Sequence, residues 1–506
     1  MVKQSSSRLF VSLAVGALIV AFALRVWDLG GASYWVDEVF THEWNEAPLD
    51  EFFSLILRDG VHTPLYFLWA RLFPTASEMT VRLSAALPGV IGVALLMGVT
   101  RRLYHSATMA LWAGALLAVN PYHIWLSRMA RPYSTVFVVA LLTSYFFLIL
   151  LRGERSRRHW LAFALSTAAL YMTHYFGVFV SFAEYILLAF VLRRDSGFFR
   201  RWAAVQAAAL TPLVIWLVAL TQVEFNLGIS WIPTPTLEDI PLTFWTMTVG
   251  YDGPRPGYLV IGLILAAIGL LVGAVYAWRE RHANRANFYW LCLVVAPWAI
   301  VFAVSAYRPL YIDRYFMIFL PGLLLLIVSG WMRLPRPSWR ALSAAGFVLI
   351  CVANVVVTMR SGYDEREDWR DAVAYTQAQL QPGDGVLFES TISLILFRFY
   401  ADEPVDSYPL FGVTDPPGSP PYPLSAQTEI PSGRLWAVYR IPQDSAHRVG
   451  KSDEPFDLLL PQIVRSPMAT WIAERQEQVI SAQAFNGVMI YQVDVQGESL
   501  VSSTVE

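Results

Sequence analysis

Two adjacent carboxylates, Asp37 and Glu38, stand in the run Tyr34-Trp35-Val36-Asp37-Glu38, flanked by aromatic residues. A carboxylate partly withdrawn from water has a raised pKa, which suits a general base. The plainer reading is a solvated acidic loop with an aromatic anchor at lipid headgroups. Next comes Arg58-Asp59-Gly60-Val61-His62-Thr63-Pro64-Leu65-Tyr66. Here His62 can orient a substrate or share a proton, but a turn capping a helix accounts for the same residues. Arg128 and Arg131 lie in Ser127-Arg128-Met129-Ala130-Arg131-Pro132-Tyr133, and Arg308 and Arg314 bracket Tyr311-Ile312-Asp313 before Tyr315. A guanidinium binds phosphate through a planar fork, whereas the bland alternative is an arginine snorkelling to an interface. His174-Tyr175 is a polar pair between apolar runs, a pattern that is more often structural than catalytic. Glu184 lies near the middle of an apolar run. An intramembrane acid is a functional candidate by default, but a proton pathway would need several, so a hydrogen-bonded packing role fits better.

The elements that must carry these residues follow from composition. The 506 residues are 56% hydrophobic and 15% charged, against roughly 25% charged for an ordinary soluble domain. Mean hydropathy is +0.46. The apolar residues cluster before about residue 358 and thin out afterwards. Eleven runs have about the length a bilayer requires: 9–27, 82–100, 107–126, 133–151, 159–174, 176–192, 202–220, 257–278, 287–305, 315–331 and 341–358. The first is longer than a signal-peptide core and reads as a retained helix rather than a cleaved leader. The two cysteines, Cys292 and Cys351, both lie within apolar runs and form neither a disulfide framework nor a zinc pattern. A net charge of −2 offers no nucleic-acid surface.

Charge fixes the expected orientation. With the N-terminus inside, the cytoplasmic segments carry Lys3, Arg8, Arg101, Arg102, Arg152, Arg155, Arg157, Arg158, Arg193, Arg194, Arg200, Arg201, Arg279, Arg281, Arg285, Arg333, Arg336 and Arg340. Their acids are only Glu154, Asp195 and Glu280. This positive-inside pattern holds at each cytoplasmic loop. It puts loop 28–81, loop 221–256 and the region 359–506 outside. The acids, arginines and histidines named above then gather on the outer side, at the ends of different spans. Within loop 28–81, the stretch 48–57 reads as an amphipathic helix.

The chain therefore divides into a transmembrane domain, 1–358, and an extracytoplasmic α/β domain, 359–506. In the latter, 367–380 reads as a helix with Trp369, Ala372, Val373 and Tyr375 on its apolar side. Val386–Phe388, Leu435–Ile441 and Val488–Val495 read as strands, 468–477 as a helix and Pro-rich 404–432 as a loop. Read from residues alone, the outer cluster is a workable site for group transfer from a lipid-phosphate donor. The basic groups hold the phosphate while a carboxylate activates a hydroxyl.

Asp37-Glu38, Asp59-Gly-Val-His62-Thr-Pro64-Leu-Tyr66, Val81-Arg82-Leu83-Ser84-Ala85, Asn120-Pro121-Tyr122-His123 and Ala130-Arg131-Pro132-Tyr133 follow one another in order. His174-Tyr175-Phe176-Gly177 and Arg314-Tyr315, followed by Pro321, continue the series. Together these resemble the GT-C-fold glycosyltransferases of the family 39 type. That group includes protein O-mannosyltransferases, the lipid A aminoarabinose transferase and lipopolysaccharide galacturonosyltransferases. Many members have His-Pro-Pro where this chain has His62-Thr63-Pro64, and an acid where Met129 stands.

The resemblance implies a polyprenyl-phosphate sugar donor in the outer leaflet and transfer with inversion to an acceptor hydroxyl. It implies Asp37 as base with Glu38 assisting, and Arg131 and Arg314 on the donor phosphate. Asp59, His62, Tyr66, Arg128, Tyr133, His174, Tyr175 and Tyr315 complete the expected substrate-binding set. No cofactor is required, although Asp37-Glu38 can bind a divalent cation. The acceptor is a lipid, polysaccharide or protein, no nucleic acid is expected, and the location is a plasma (inner) membrane. The absence of Asn-x-Ser/Thr sites agrees with a prokaryotic one.

Other classes remain open to the sequence. A lipid or glycan flippase needs many spans too, but would place polar groups near the midplane. An O-antigen ligase or polymerase uses a pyrophosphate-linked donor. A receptor-like module would use 359–506 for binding, and eleven spans are excessive for its anchor.

Overall fold

A computed structural model describes residues 2–191, 195–223, 232–250, 256–360, 367–409, 429–430, 433–441, 467–495 and 500–501. Arg193, Arg194, parts of loop 221–256 and most of loop 404–432 lie outside the described residues. In chain order the helices are α1 Val2–Val26, α2 Val36–Glu46, α3 Leu49–Asp59, α4 Leu65–Ala70, α5 Glu78–Tyr104, α6 Ala107–Val119, α7 Pro121–Ser127, α8 Tyr133–Leu151 and α9 Arg157–Thr173. There follow α10 Val178–Val191, α11 Ser196–Leu220, α12 Asp239–Thr248, α13 Tyr258–Arg279, α14 Arg285–Ser305, α15 Leu320–Met332 and α16 Pro337–Arg360. The remaining elements are α17 Trp369–Gln377, β1 Gly385–Phe388, α18 Thr391–Tyr400, β2 Ser407–Pro409, β3 Glu429–Ile430, β4 Gly433–Arg440, α19 Pro467–Ala473, β5 Val479–Phe485, β6 Val488–Val495 and β7 Leu500–Val501.

Two compact units result. One comprises Met1–Leu29 and Trp44–Tyr363, the other Gly30–Glu43 and Asp364–Glu506. The chain is an integral membrane protein by its apolar helices. Among the described residues, eight helices are long and apolar enough to cross a bilayer. The expected runs at 107–126, 159–174 and 176–192 are shorter helices. The first is broken at Asn120-Pro121, where Asn120 caps α7 by accepting from the His123 amide at 2.8 Å.

In the first unit α15 is nearly all buried. It crosses α13 at a glycine contact. A Cβ on Gly330 would stand 1.9 Å from the Gly269 carbonyl oxygen, and one on Gly273 would stand 2.2 Å from that of Leu326. Such small-residue seams let membrane helices meet backbone to backbone. Most residues of the expected acidic loop 28–81 are helical, and α3 buries Phe52 and Ile56 on one side, the amphipathic helix its sequence implied. Ser77 starts α5 with a reciprocal cap to Thr80.

In the second unit the sheet order is β2-β1-β4-β6-β5. Strand β1 is parallel to β2 and β4, while β4, β6 and β5 are antiparallel. Period-2 alternation sends Leu387, Leu435, Ala437, Met489, Tyr491 and Val493 to a core shared with Met468, Trp471 and Ile472 of α19. On the opposite face Phe388 meets Phe397 of α18, and Trp436 meets Tyr375 of α17.

Candidate active site

The site in the first unit starts from a helix end. Helix α3 stops at Asp59 because Gly60 takes φ 70°, a left-handed turn that a side chain would resist. Asp59 Oδ2 then accepts from the Val61 amide at 3.2 Å and stands 2.6 Å from His62 Nδ1. The opposite ring nitrogen, His62 Nε2, meets an Arg131 Nη2. A guanidinium has no acceptor, so Nε2 accepts; a neutral ring then carries its proton on Nδ1 and donates to Asp59. Asp59, His62 and Arg131 thus form a polarised chain from α3 to the turn between α7 and α8.

Its surroundings are aromatic on one side, and the imidazole and carboxylate keep partial exposure. Trp44 and Phe67 flank the imidazole edge to face, with centroids 6.1 and 5.5 Å away. The Arg131 guanidinium carbon lies 5.5 Å from the Phe67 centroid. Arg131 is 1% exposed, whereas the His62 and Asp59 side chains are 17% and 20% exposed. The cation is desolvated while its partners keep partial exposure, and charge interactions strengthen in such a setting. Burial pushes the Asp59 carboxyl up. The His62 ring, the bond it makes and Arg131 outweigh that and hold it below the ordinary carboxylate range.

Tyr175 supports the loop from the other side. Its hydroxyl takes the Trp216 indole N–H at 3.2 Å and makes long contacts with the His62 and Gly60 carbonyls, 3.4 and 3.5 Å. His174 lies within the electrostatic reach of His62 and Arg131, and its ring packs 5.1 Å from that of Tyr315. Arg314 neighbours this ring, its amide donating to the Asp313 carboxylate at 2.7 Å. The structure therefore joins Asp59, His62, Arg131, His174, Tyr175 and Tyr315 around one locus, with Arg314 adjoining it in the chain.

Other expected site residues sit elsewhere. Arg128 donates to the carbonyls of Trp27 and Asp28, at 2.5 and 3.3 Å, just beyond the C-terminus of α1. A cation at a helix C-terminus satisfies carbonyls and the helix dipole. Tyr66 is buried with its hydroxyl 2.9 Å from Ser84 Oγ, tying α4 to α5, and Tyr133 is buried in the first turn of α8. Asp37 and Glu38 belong to the second unit, in the first turn of α2. Acids there are favoured by the helix dipole. Glu184 is hydrogen-bonded within the first unit, accepting from Trp202 at 2.8 Å and Gln206 at 2.9 Å. Among the described residues no group of three His, Cys, Asp or Glu is placed to hold a metal ion.

The sequence reading passed over Trp44, Phe67 and Trp216, which lay in it as ordinary aromatics. It also passed over Arg25, fully buried near the end of α1, with its guanidinium 2.8 Å from His123 Nδ1 and on the carbonyls of Leu117 and Ala118. A lone arginine inside an apolar run was the available signal.

Residues 62–218 match the dolichyl-phosphate-mannose-protein mannosyltransferase family, a span that includes His62, Arg131, His174 and Tyr175. The fold is similar to that of ArnT from Cupriavidus metallidurans in the apo state, with TM-score 0.59 and 16% identity over 97% of this chain and 98% of that one. The shared fold thus extends beyond the matched segment to nearly the whole chain. The chain has the fold of ArnT, with a segment at 62–218 similar to that mannosyltransferase family. The same ArnT bound to undecaprenyl phosphate matches this chain with TM-score 0.55 and 15% identity, over 97% of this chain and 98% of that one. No curated protein matches it by sequence.

Proposed function

We propose that this protein is a glycosyltransferase that moves a sugar from a polyprenyl-phosphate donor to an acceptor hydroxyl at the outer face of the membrane. The observation that carries the reading is the Asp59–His62–Arg131 chain, a desolvated guanidinium held by a partly exposed imidazole, both within the matched segment. In the reaction the acceptor oxygen bonds to the anomeric carbon from the face opposite the phosphate, and the bond from that carbon to the phosphate oxygen breaks. The acceptor proton passes to the Asp37 carboxylate, with Glu38 assisting. The leaving polyprenyl phosphate gains negative charge, which Arg131 and Arg314 stabilise. Asp59 holds the imidazole tautomer that keeps Arg131 directed. Basic residues at alternate loops support a cytoplasmic N-terminus and an extracytoplasmic second unit.

The test is direct. The purified full chain, in liposomes, is given undecaprenyl-phosphate-linked mannose, galactose, galacturonic acid and aminoarabinose in turn, with envelope glycolipid as acceptor. The expected result is release of undecaprenyl phosphate from one donor and loss of that release in Arg131→Ala. Failure to release it from any of the four, or full release by Arg131→Ala, overturns the reading.

A further inference from the structure

Segment 30–43 reaches α2 through a short stretch of chain, yet the first turn of that helix carries Asp37 and Glu38. What directs it lies far along the sequence. Ser33 Oγ accepts the Arg370 amide at 3.0 Å. Arg370 is the second residue of α17, whose cap residue Asp368 makes no side-chain cap bond. Ser33 therefore satisfies one of the orphan amides of α17 from a distant part of the chain. The Arg370 guanidinium returns to the same segment, with long contacts to the Gly30 and Ala32 carbonyls at 3.4 and 3.5 Å. The Tyr34 amide donates to the Tyr400 hydroxyl at 2.5 Å. Phe399 places its ring 5.6 Å from Tyr34 and 5.0 Å from His42, edge to face. Ser33 and Tyr34 are each 2% exposed. One bond fixes the backbone two residues before α2 begins, and the Phe399 ring grips both sides of its first turn.

We propose that Arg370, Phe399 and Tyr400 of the C-terminal domain are positioning residues for Asp37 and Glu38. This rests on the reading of Asp37 as the base. On this account the domain holds the acid-bearing helix in its working direction. A shift of about 1 Å in a reacting group costs on the order of 100-fold in rate, so the loss of one anchor appears in turnover rather than in donor binding.

The experiment uses the full chain and the undecaprenyl-phosphate sugar that the wild type consumes in the assay above. Tyr400→Phe removes the hydroxyl and keeps the ring. It is expected to lower kcat on the order of 10- to 100-fold, with donor KM within about twofold. Hydrogen exchange of the peptide spanning residues 30–43 is expected to quicken, a readout that needs no donor. Combined with Asp37→Glu, the loss is expected to fall short of the product of the single losses, because both act on one carboxylate. Wild-type kcat, unchanged exchange or a fully multiplicative double mutant each overturns the proposal. If Tyr400→Phe does not fold, Ser33→Ala and Ser33→Thr replace it; lost turnover in the first with rescue in the second supports it, and equal turnover overturns it. Normal transfer by Asp37→Asn instead sinks the base assignment, an outcome separate from all of these.

Discussion

Asp59 Oδ2 and His62 Nδ1 meet at 2.6 Å across a turn that the left-handed Gly60 makes possible. The contact decides which ring nitrogen is left to accept from Arg131, and so where the guanidinium points. Asp59→Asn keeps an oxygen for the turn but removes the charge. Donor KM is expected to rise roughly 10- to 150-fold, in line with the loss of roughly 1.5–3 kcal/mol from a charge-assisted bond, with a smaller change in kcat. Titrating undecaprenyl phosphate as inhibitor against both proteins checks it; equal inhibition constants would refute the role.

The same pair sets a pH limit. The Asp59 carboxyl is held below its ordinary value, so its contribution is complete above about 3.9 and is lost only as pH falls through the lowered value. Donor affinity should therefore show no Asp59-linked decline between about pH 8 and 5. Comparing KM across that range in wild type and Asp59→Asn tests this: the ratio of the two should stay constant, and a ratio that collapses toward one near pH 5 contradicts it.

Asp37→Asn should lower transfer by roughly 100- to 10,000-fold, the usual worth of a general base. Membrane insertion and expression should be unchanged, because the amide is nearly isosteric and α2 keeps Glu38 in its first turn. Undecaprenyl phosphate release by the purified variant measures the first, and membrane fractionation the second.

Eight of the eleven expected spans were legible because long apolar runs leave little choice; the runs at 107–126, 159–174 and 176–192 form shorter helices. The residues that meet around His62 were nameable one by one and much less so as an arrangement. Asp59 and His62 are close in sequence, and a turn between them was readable. Nothing in the sequence says that Arg131 ends on His62, or that Arg128, three residues earlier, faces the end of α1; the local geometry after α7 decides that. Helix α18 was missed because Thr391–Tyr400 is a short apolar run, and periodicity alone does not separate strand from buried helix. Strand β5 was missed because it depends on pairing with β6, a tertiary contact. The membership of Gly30–Glu43 in the second unit rests on contacts more than 300 residues apart in sequence.

The crossing of α13 and α15 gives a test of the fold. Gly330→Leu puts a side chain where even a Cβ would lie 1.9 Å from the Gly269 carbonyl oxygen. Overpacking at such a site costs about 1–3 kcal/mol, occasionally more. The detergent-solubilised variant should unfold several degrees below wild type, whereas Gly98→Leu, where nothing lies within 4 Å of the added Cβ, should not. Equal midpoints for both variants would refute the close seam.

Asp384 supplies an acid limb to the stability of the C-terminal domain. Its carboxylate receives Arg434 Nε at 2.9 Å on each oxygen, and Trp436 Nε1 at 3.0 Å. Burial pushes its carboxyl up; the bonds from Arg434, Trp436 and the Gln381 amide prevail and hold it below the ordinary range. With the folded value depressed, the stabilisation is present above the unfolded value of about 3.9 and disappears as pH falls through the folded one. Asp384→Asn should cost about 1–3 kcal/mol at neutral pH, because Arg434 and Trp436 lose a charged acceptor. Near pH 3 the two proteins should differ much less. Thermal unfolding of the full chain, followed through the near-ultraviolet signal at both pH values, measures the gap. A gap that stays the same on acidification would mean that the carboxylate charge is not what these donors hold.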